Sequence, residues 1–295
     1  MPLQFMGMLL LLILTYLLHT SSYNHCHHRR RHSHHYGNTV SHYSSQLSTS
    51  DVTTTINNIK IIAKEEDDND ISKSSDNDII WLVDVGSGWG NGAHPTTKLC
   101  LEYLSNTIKK GDVVLDYGCG SGILAITAVK LGATSAIAVD IDEDSIRAAE
   151  KNVDINGYND VIKVTHTKYI YLGSGEGTSS ISDVTCANIL PGALSRLAPT
   201  LWGLTKPGGS LMLSGTSSIL SLLSSLLLLP LGMRPHELPA IRRIYTPYVN
   251  LATETTSTTN HDLYGEWVCW SVNTKIMSDD EYKETFKRLT EMSME

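Results

Sequence analysis

The stretch Val113–Asp142, VVLDYGCGSGILAITAVKLGATSAIAVDID, decides how the chain is read. A short apolar run ends in Asp116, and glycines alternate behind it at Gly118, Gly120 and Gly122. Val113, Val114 and Leu115 are apolar toward both faces, the pattern of a strand inside a parallel sheet covered on both sides. The glycines let the chain turn sharply and bring backbone N–H groups against a ligand at a helix N-terminus. Ile123 to Leu131 is apolar nearly all round, so it is predicted as a helix lying on the sheet, stopped by Gly132. A second strand, Ala136 to Val139, delivers Asp140 about 20 residues past the first glycine, where an acid can accept hydrogen bonds from ribose hydroxyls.

The spacing of the glycines separates one cofactor class from another. A dinucleotide site needs GxGxxG to clear room for a pyrophosphate. Here the pattern is GxGxG followed by Ile123, with Asp116 two positions before the first glycine. That suits a ligand with a ribose, an adenine and a charged amino-acid moiety but no phosphate, as in S-adenosylmethionine.

Downstream, the alternation of strand and helix continues. Asp144–Ile155 reads as a helix with Ile146, Ala149 and Val153 on one face and Gly157 at its end. Strands are predicted at 161–165, 183–188 and 210–214, with GSGEGTSSIS (173–182) as a loop and a helix from Pro191 to Leu204. Asn188 falls at the C-terminal end of its strand, the end at which ligands lie in open parallel sheets. It therefore faces the crevice of Gly118 and Asp140, or else is a turn residue. Trp267, Val268, Trp270 and Val272 supply a last strand, in an antiparallel pair at the sheet edge. Ser217 to Leu229 is rich in Leu and Ser and too short for a membrane span; a buried helix and a partner surface both fit it. Ser278–Glu295 reads as a polar helix.

Upstream, IIWLVDV from Ile79 reads as a strand. Glycines at 86, 88, 90 and 92 make the following segment a loop, and Pro95 or Thr96 starts a helix with Leu99, Leu101 and Leu104 as its apolar positions. The loop is a plain lead-in or a cover over the ligand, with the Thr96 and Thr97 hydroxyls aimed at it. His94 either shapes this loop or shuttles a proton, and Cys119 is either packing or, less in keeping with its lack of a base partner, a nucleophile.

The first 78 residues differ in composition. Met8–Leu18 has the length of a signal h-region, and Tyr23–Ser50 is rich in Ser and His, with Arg29, Arg30 and Arg31 and no acid. A signal-like segment followed by a transit-like one points to a targeting leader over 1–50, with a plastid destination favoured and mitochondrial import or secretion as alternatives. The histidines between His25 and His35 are read as part of that leader rather than as a metal site. Residues 51–78 carry eight acids against three lysines and read as an acidic disordered linker, with at most one short strand or turn among Ile56, Ile59, Ile61 and Ile62. The whole chain carries a net charge of -8 without a basic stripe in its folded part, so direct nucleic-acid binding is not expected. Five scattered cysteines without a CxxC pair argue against a disulfide framework and a structural zinc site.

Five segments resemble the ribosomal-protein methyltransferase family of the PrmA type: DVGSGWGNGAHPTTKLCLEYL, VLDYGCGSGILAITAVKLGA, AVDIDEDSIRAAEKNVDINGY, ANILPGALSRLAPTLWGLTKPGGSLMLSG and GEWVCW. The resemblance covers roughly 79–273. It implies a Rossmann-like class I methyltransferase fold over 79–277: an α/β protein with a mostly parallel seven-stranded sheet, helices on both faces and an antiparallel edge strand. It also implies S-adenosylmethionine as cofactor and a large-subunit ribosomal protein, methylated on lysines and the N-terminal amine, as partner. Carried over by position, the cofactor contacts fall on Thr97, Gly118, Asp140 and Asn188, beside Asp116, Gly120 and Gly122 of the turn, with Ile141 packing on the adenine. Two departures stand out. The family's FGTG is WGNG here, with Trp89 and Asn91. The family's N-terminal domain, which docks the ribosomal protein, corresponds here to the leader and acidic linker.

The expected reaction is direct transfer of a methyl group from sulfonium to an amine nitrogen, in which the protein's task is in-line positioning. Asn188 is the expected orienting residue through its side-chain carbonyl, with the backbone carbonyl of Ile189 beside it. Other readings are a methyltransferase for another protein, such as an electron-transfer flavoprotein subunit, or for a small amine, and a non-catalytic cofactor-binding paralogue.

Overall fold

The computed structural model describes residues 52–63, 78–84, 92–170, 181–215, 233, 235–261, 265–278, 280, 281, 284 and 285. The chain divides into two units, Met1–Ser50 and Asp51–Glu295, and the described residues all belong to the second. The leader, the 64–77 half of the linker, the loop residues 85–91 with Trp89 and Asn91, the 171–180 segment, the Leu/Ser-rich segment and most of the C-terminal tail lie outside the described residues.

Seven strands form one sheet: β4 (Val113–Tyr117), β5 (Ser135–Asp140), β6 (Ile162–His166), β7 (Ser182–Asn188), β8 (Thr205–Ser214), β9 (Val249–His261) and β10 (Gly265–Thr274), in the order β6-β5-β4-β7-β8-β10-β9. The first five are mutually parallel, and β10 runs antiparallel to both β8 and β9. The antiparallel pair expected at the edge is thus β9 with β10, and its inner member is the strand that opposes the rest. β9 is a run of threonines and polar residues without apolar alternation, so its sequence carries no strand pattern.

Alternate residues along each central strand are divided between two cores. Val114, Cys186, Met212, Trp267 and Cys269 face one side, where they pack with α1 (Pro95–Thr107), α2 (Ile123–Lys130) and α3 (Glu143–Ile155). Leu115, Ala187, Leu211, Leu213, Val268 and Trp270 face the other, packed with α4 (Pro191–Leu204) and α5 (Leu238–Tyr245). The helix starts follow the capping chemistry of the sequence. Pro95 and Pro191 stand in the first turns of α1 and α4, and Asp142 caps α3 by accepting from the Ser145 N–H at 3.1 Å.

The expectation of a linker over 51–78 is corrected for its first half. Val52–Ile56 (β1) and Ile59–Ala63 (β2) form an antiparallel hairpin, and Ile79–Leu82 (β3) adds to β2 in parallel as a separate three-stranded sheet. Ile56 pairs with Ile59 across the two-residue turn Asn57–Asn58, and Asn57 takes φ +51°. Asparagine tolerates that conformation, and such turns suit the twist of a hairpin. Ile56, Ile59, Ile61, Ile80 and Leu82 are buried against the first core, so apolar burial holds this sheet in place despite the acidic residues that follow β2. Among the described residues, no helix is long and apolar enough to cross a membrane.

Candidate functional site

The site forms at the C-terminal ends of β4, β5 and β7. Between β4 and α2, Gly118, Gly120 and Gly122 all adopt left-handed φ, at +81°, +53° and +77°. That backbone is tied to the neighbouring strand, since the N–H groups of Gly118 and Cys119 both donate to the Val139 carbonyl, at 2.7 and 3.0 Å.

Asp140, at the end of β5, is 9% exposed. Its Oδ2 accepts from the Gly120 N–H at 2.9 Å, and its Oδ1 from the N–H groups of Ile141 and Asp142 at 2.7 and 3.0 Å. Three backbone donors fix the orientation of the carboxylate and leave Oδ2 as the oxygen with capacity for another. Ile141 follows it with 75% of its surface exposed. A large aliphatic side chain so exposed, beside a rigidly held acid, offers an apolar platform to a planar ring.

Asp116 ends up completely buried. Its Oδ2 accepts from the Ala125 N–H in α2 at 3.2 Å, and its Oδ1 has no hydrogen-bond partner. Burial pushes its carboxyl up to about 7; the Ala125 N–H partly opposes this, and the nearby Asp140 charge adds to it. The same surroundings settle the reading of Cys119. Burial, with Asp116 and Asp140 nearby, raises its thiol well above the ordinary range, so the thiolate is disfavoured and the residue packs.

On the far side, the Asn188 Nδ2 at the end of β7 donates to the Thr97 Oγ1 in α1 at 3.5 Å, joining two residues 91 positions apart. Thr97 is buried. His94 caps α1, its Nδ1 accepting from the Thr96 N–H at 3.3 Å, and packs edge-on to Trp267 with ring centroids 5.2 Å apart. It shapes the entry to the helix.

Two glycines bring Ile189 to the Gly118–Gly122 turn. A Cβ on Gly118 would lie 2.2 Å from Ile189 Cγ2, and one on Gly215, just past β8, would lie 1.5 Å from the Ile189 carbonyl oxygen. Gly215 also takes φ +148°, and the Ile189 N–H donates to the Ser214 carbonyl at 3.0 Å. The Asn188–Ile189 turn therefore stands directly over the glycine turn. In the sequence Gly215 shows only as the last residue of a strand-ending SG. Asn152 on α3, which is fully buried, shows there only as a polar residue next to Val153 on the apolar face of an amphipathic helix. Among the described residues, no group of three or more His, Cys, Asp or Glu side chains is arranged to hold a metal ion.

Comparison with known proteins agrees with this geometry. A family model described as ribosomal protein L11 methyltransferase (PrmA) matches residues 53–220, so it takes in β1 and β2. The ribosomal protein L11 methyltransferase of Vibrio cholerae serotype O1 is 48% identical over 134 residues, which is 45% of this chain and 43% of that protein. The same protein from Photorhabdus laumondii subsp. laumondii is 48% identical over 134 residues, again 45% of this chain and 43% of the relative. This chain thus spans less than half the length of these curated relatives. Among solved structures, ribosomal protein L11 methylase from Lactobacillus delbrueckii subsp. bulgaricus superposes with a TM-score of 0.50 at 26% identity, covering 73% of this chain and 94% of that one. With more than half of its residues matched by the family model, and with the sheet order and turn described above, the chain belongs to the ribosomal protein L11 methyltransferase (PrmA) family.

Proposed function

We propose that the protein binds S-adenosylmethionine at the Gly118–Gly122 turn and transfers its methyl group to an amine nitrogen of a protein. The acceptor is a lysine or the N-terminal amine of ribosomal protein L11, the protein named by the relatives. The observation that carries this reading is the contact between Gly118 and Ile189, because it joins a nucleoside-binding turn to a second turn bearing a polar side chain.

The residues suit the cofactor. The oriented Asp140 carboxylate accepts a ribose hydroxyl at Oδ2, and exposed Ile141 covers one face of the adenine. Asp116, fully buried on the strand leading into the turn, places a carboxyl beneath it, and the cationic amino group of a ligand in the turn would favour the charged form of that carboxyl through space. Gly118, Gly120 and Gly122 keep the turn free of side chains, and Thr97 lines the opposite wall. When bound, the cofactor supplies a methyl group on a sulfonium, a leaving group that needs no acid.

The chain's own work is then positional. The bond from Nδ2 to Thr97 turns the Asn188 amide so that Oδ1 is left to accept an N–H from the acceptor amine. Ile189 contributes its backbone carbonyl, which Gly215 keeps free of a neighbouring side chain. Two such acceptors would hold the two N–H groups of an amine that has lost its ammonium proton to solvent, so that its lone pair is aimed along the transfer axis; the methylated nitrogen then releases a proton to solvent. The composition of residues 1–50 supports an organelle, a plastid first, as the place of action.

The test is transfer of radiolabelled methyl from S-adenosylmethionine to purified ribosomal protein L11 by the full chain, resolved by mass. Label on L11, slowed about tenfold or more by Asn188→Ala with a smaller change in cofactor affinity, is the expected result. Cofactor binding without any label on L11 removes L11 as acceptor.

A further inference from the structure

We propose that Asn152 is a positioning residue that ties the cofactor turn to the strand end at Val83–Asp84; this rests on the cofactor reading above. Its side chain uses every hydrogen-bonding position an amide has. Oδ1 accepts from the N–H groups of Val83 and Asp84 at 2.9 and 3.1 Å, and Nδ2 donates to the carbonyls of Asp84 and Ser121 at 2.5 and 2.9 Å. Ser121 stands between Gly120 and Gly122, so one buried side chain of α3 holds both the middle of the left-handed turn and the chain leaving β3.

Asn156, one helical turn further on, provides the contrast. Its Oδ1 accepts from the Trp81 N–H at 3.0 Å, and its Nδ2 donates to the Trp81 carbonyl and back to the Asn152 carbonyl, both at 2.7 Å. The two asparagines thus serve β3 as a neighbouring strand would, offering donor and acceptor together, but only Asn152 reaches the turn. A residue needed solely to hold β3 would not require the Ser121 bond. With that bond, order imposed on the turn by a ligand is passed to Val83 and Asp84, and order lost there loosens the turn.

Segment 85–91 begins directly after Asp84. On its other side Gly92 is packed at the same place: a Cβ there would lie 3.0 Å from Cδ1 of Ile123, the first residue of α2, and its carbonyl accepts from the Thr54 Oγ1 at 3.3 Å. Asp84 is thus held to the turn through Asn152, whereas Gly92 is bonded to β1 and packed beside the first residue of α2.

The experiment uses the full chain and S-adenosylmethionine in calorimetric titration. Asn152→Ala is expected to raise the Kd roughly tenfold, the loss of a buried bond of ordinary strength. Asn156→Ala, which weakens the hold on β3 without touching the turn, is expected to stay within about twofold. Hydrogen–deuterium exchange on the unmodified protein provides a readout that does not depend on the variants folding: cofactor slows exchange at the Val83 and Asp84 amides more than at Trp81. Equal Kd values for Asn152→Ala and the unmodified protein, or Val83 and Asp84 exchange indifferent to the cofactor, overturn the proposal while leaving the cofactor site standing. Absence of binding by the unmodified protein overturns both.

Discussion

The turn from β4 into α2 and the turn from β7 into α4 do the same topological job by opposite means. The first supplies its own freedom, with three glycines at positive φ and hydrogen bonds to the neighbouring strand end. The second, Asn188-Ile189-Leu190-Pro191, contains no glycine and relies on glycines elsewhere: Gly118 makes room for its side chain and Gly215 for its carbonyl. A cofactor turn can therefore be recognised from five consecutive residues. The Asn188–Ile189 turn depends on positions 71 and 26 residues away from Ile189.

That dependence is broken most severely at Gly215. Gly215→Ala sets a Cβ 1.5 Å from the Ile189 oxygen at a φ of +148°, where the obstacle is backbone and cannot rotate aside. A loss of about 4 kcal/mol or more in urea-unfolding stability is expected. A cost below about 1 kcal/mol would mean that the two strand ends are not held together as described.

The next largest effect concerns Asp116, at the entrance to the first turn. Its folded-state pKa of about 7 lies above the ordinary 3.8. The stability it contributes is therefore fully present below about pH 4 and is lost as the pH rises through about 7. Asp116→Asn removes that slope. Between pH 5 and 8 the stability difference between variant and parent should shift in the variant's favour by about 2 to 3 kcal/mol, read from unfolding curves at each pH. A difference that does not vary with pH would place the carboxyl in a solvated setting.

A smaller effect sharpens the contact between the turns. Gly118→Ala, which meets the movable Ile189 Cγ2 and a positive φ, should cost about 2 kcal/mol. Combined with Ile189→Ala the clash disappears, and the double-mutant cycle should report a coupling of about 1 kcal/mol. Strict additivity would separate the turns.

What could be read from the sequence follows the same division. The strand–turn–helix–strand unit, the ends of α4 and the acid at the tip of β5 were all legible, because each is specified by residues adjacent in the chain. Thr97 and Asn188 were each legible as facing the ligand, one from its loop and one from its strand end, but their hydrogen bond was not, since the fold closes a gap of 91 residues. Gly215 was not legible, and Asn152 only as a polar residue on an apolar helix face: the requirement at each comes from a partner on another element, and a lone glycine or asparagine has ordinary local explanations. The hairpin of β1 and β2 was passed over for a different reason. The acids that follow it dominated the composition, while Ile-Asn-Asn-Ile, a two-residue hairpin signal, was only four residues long. β9 lacked a pattern because it is an edge strand with most of its side chains exposed.

The most direct test of the central claim, that the two turns enclose an S-adenosylmethionine site, is calorimetric titration of the full chain with that cofactor, beside Asp140→Ala. Saturable binding at one site is expected, weakened roughly a hundredfold or abolished in the variant, because the carboxylate oriented by Gly120, Ile141 and Asp142 is the proposed ribose acceptor. No heat of binding from the unmodified chain, or equal affinity in Asp140→Ala, would contradict that claim.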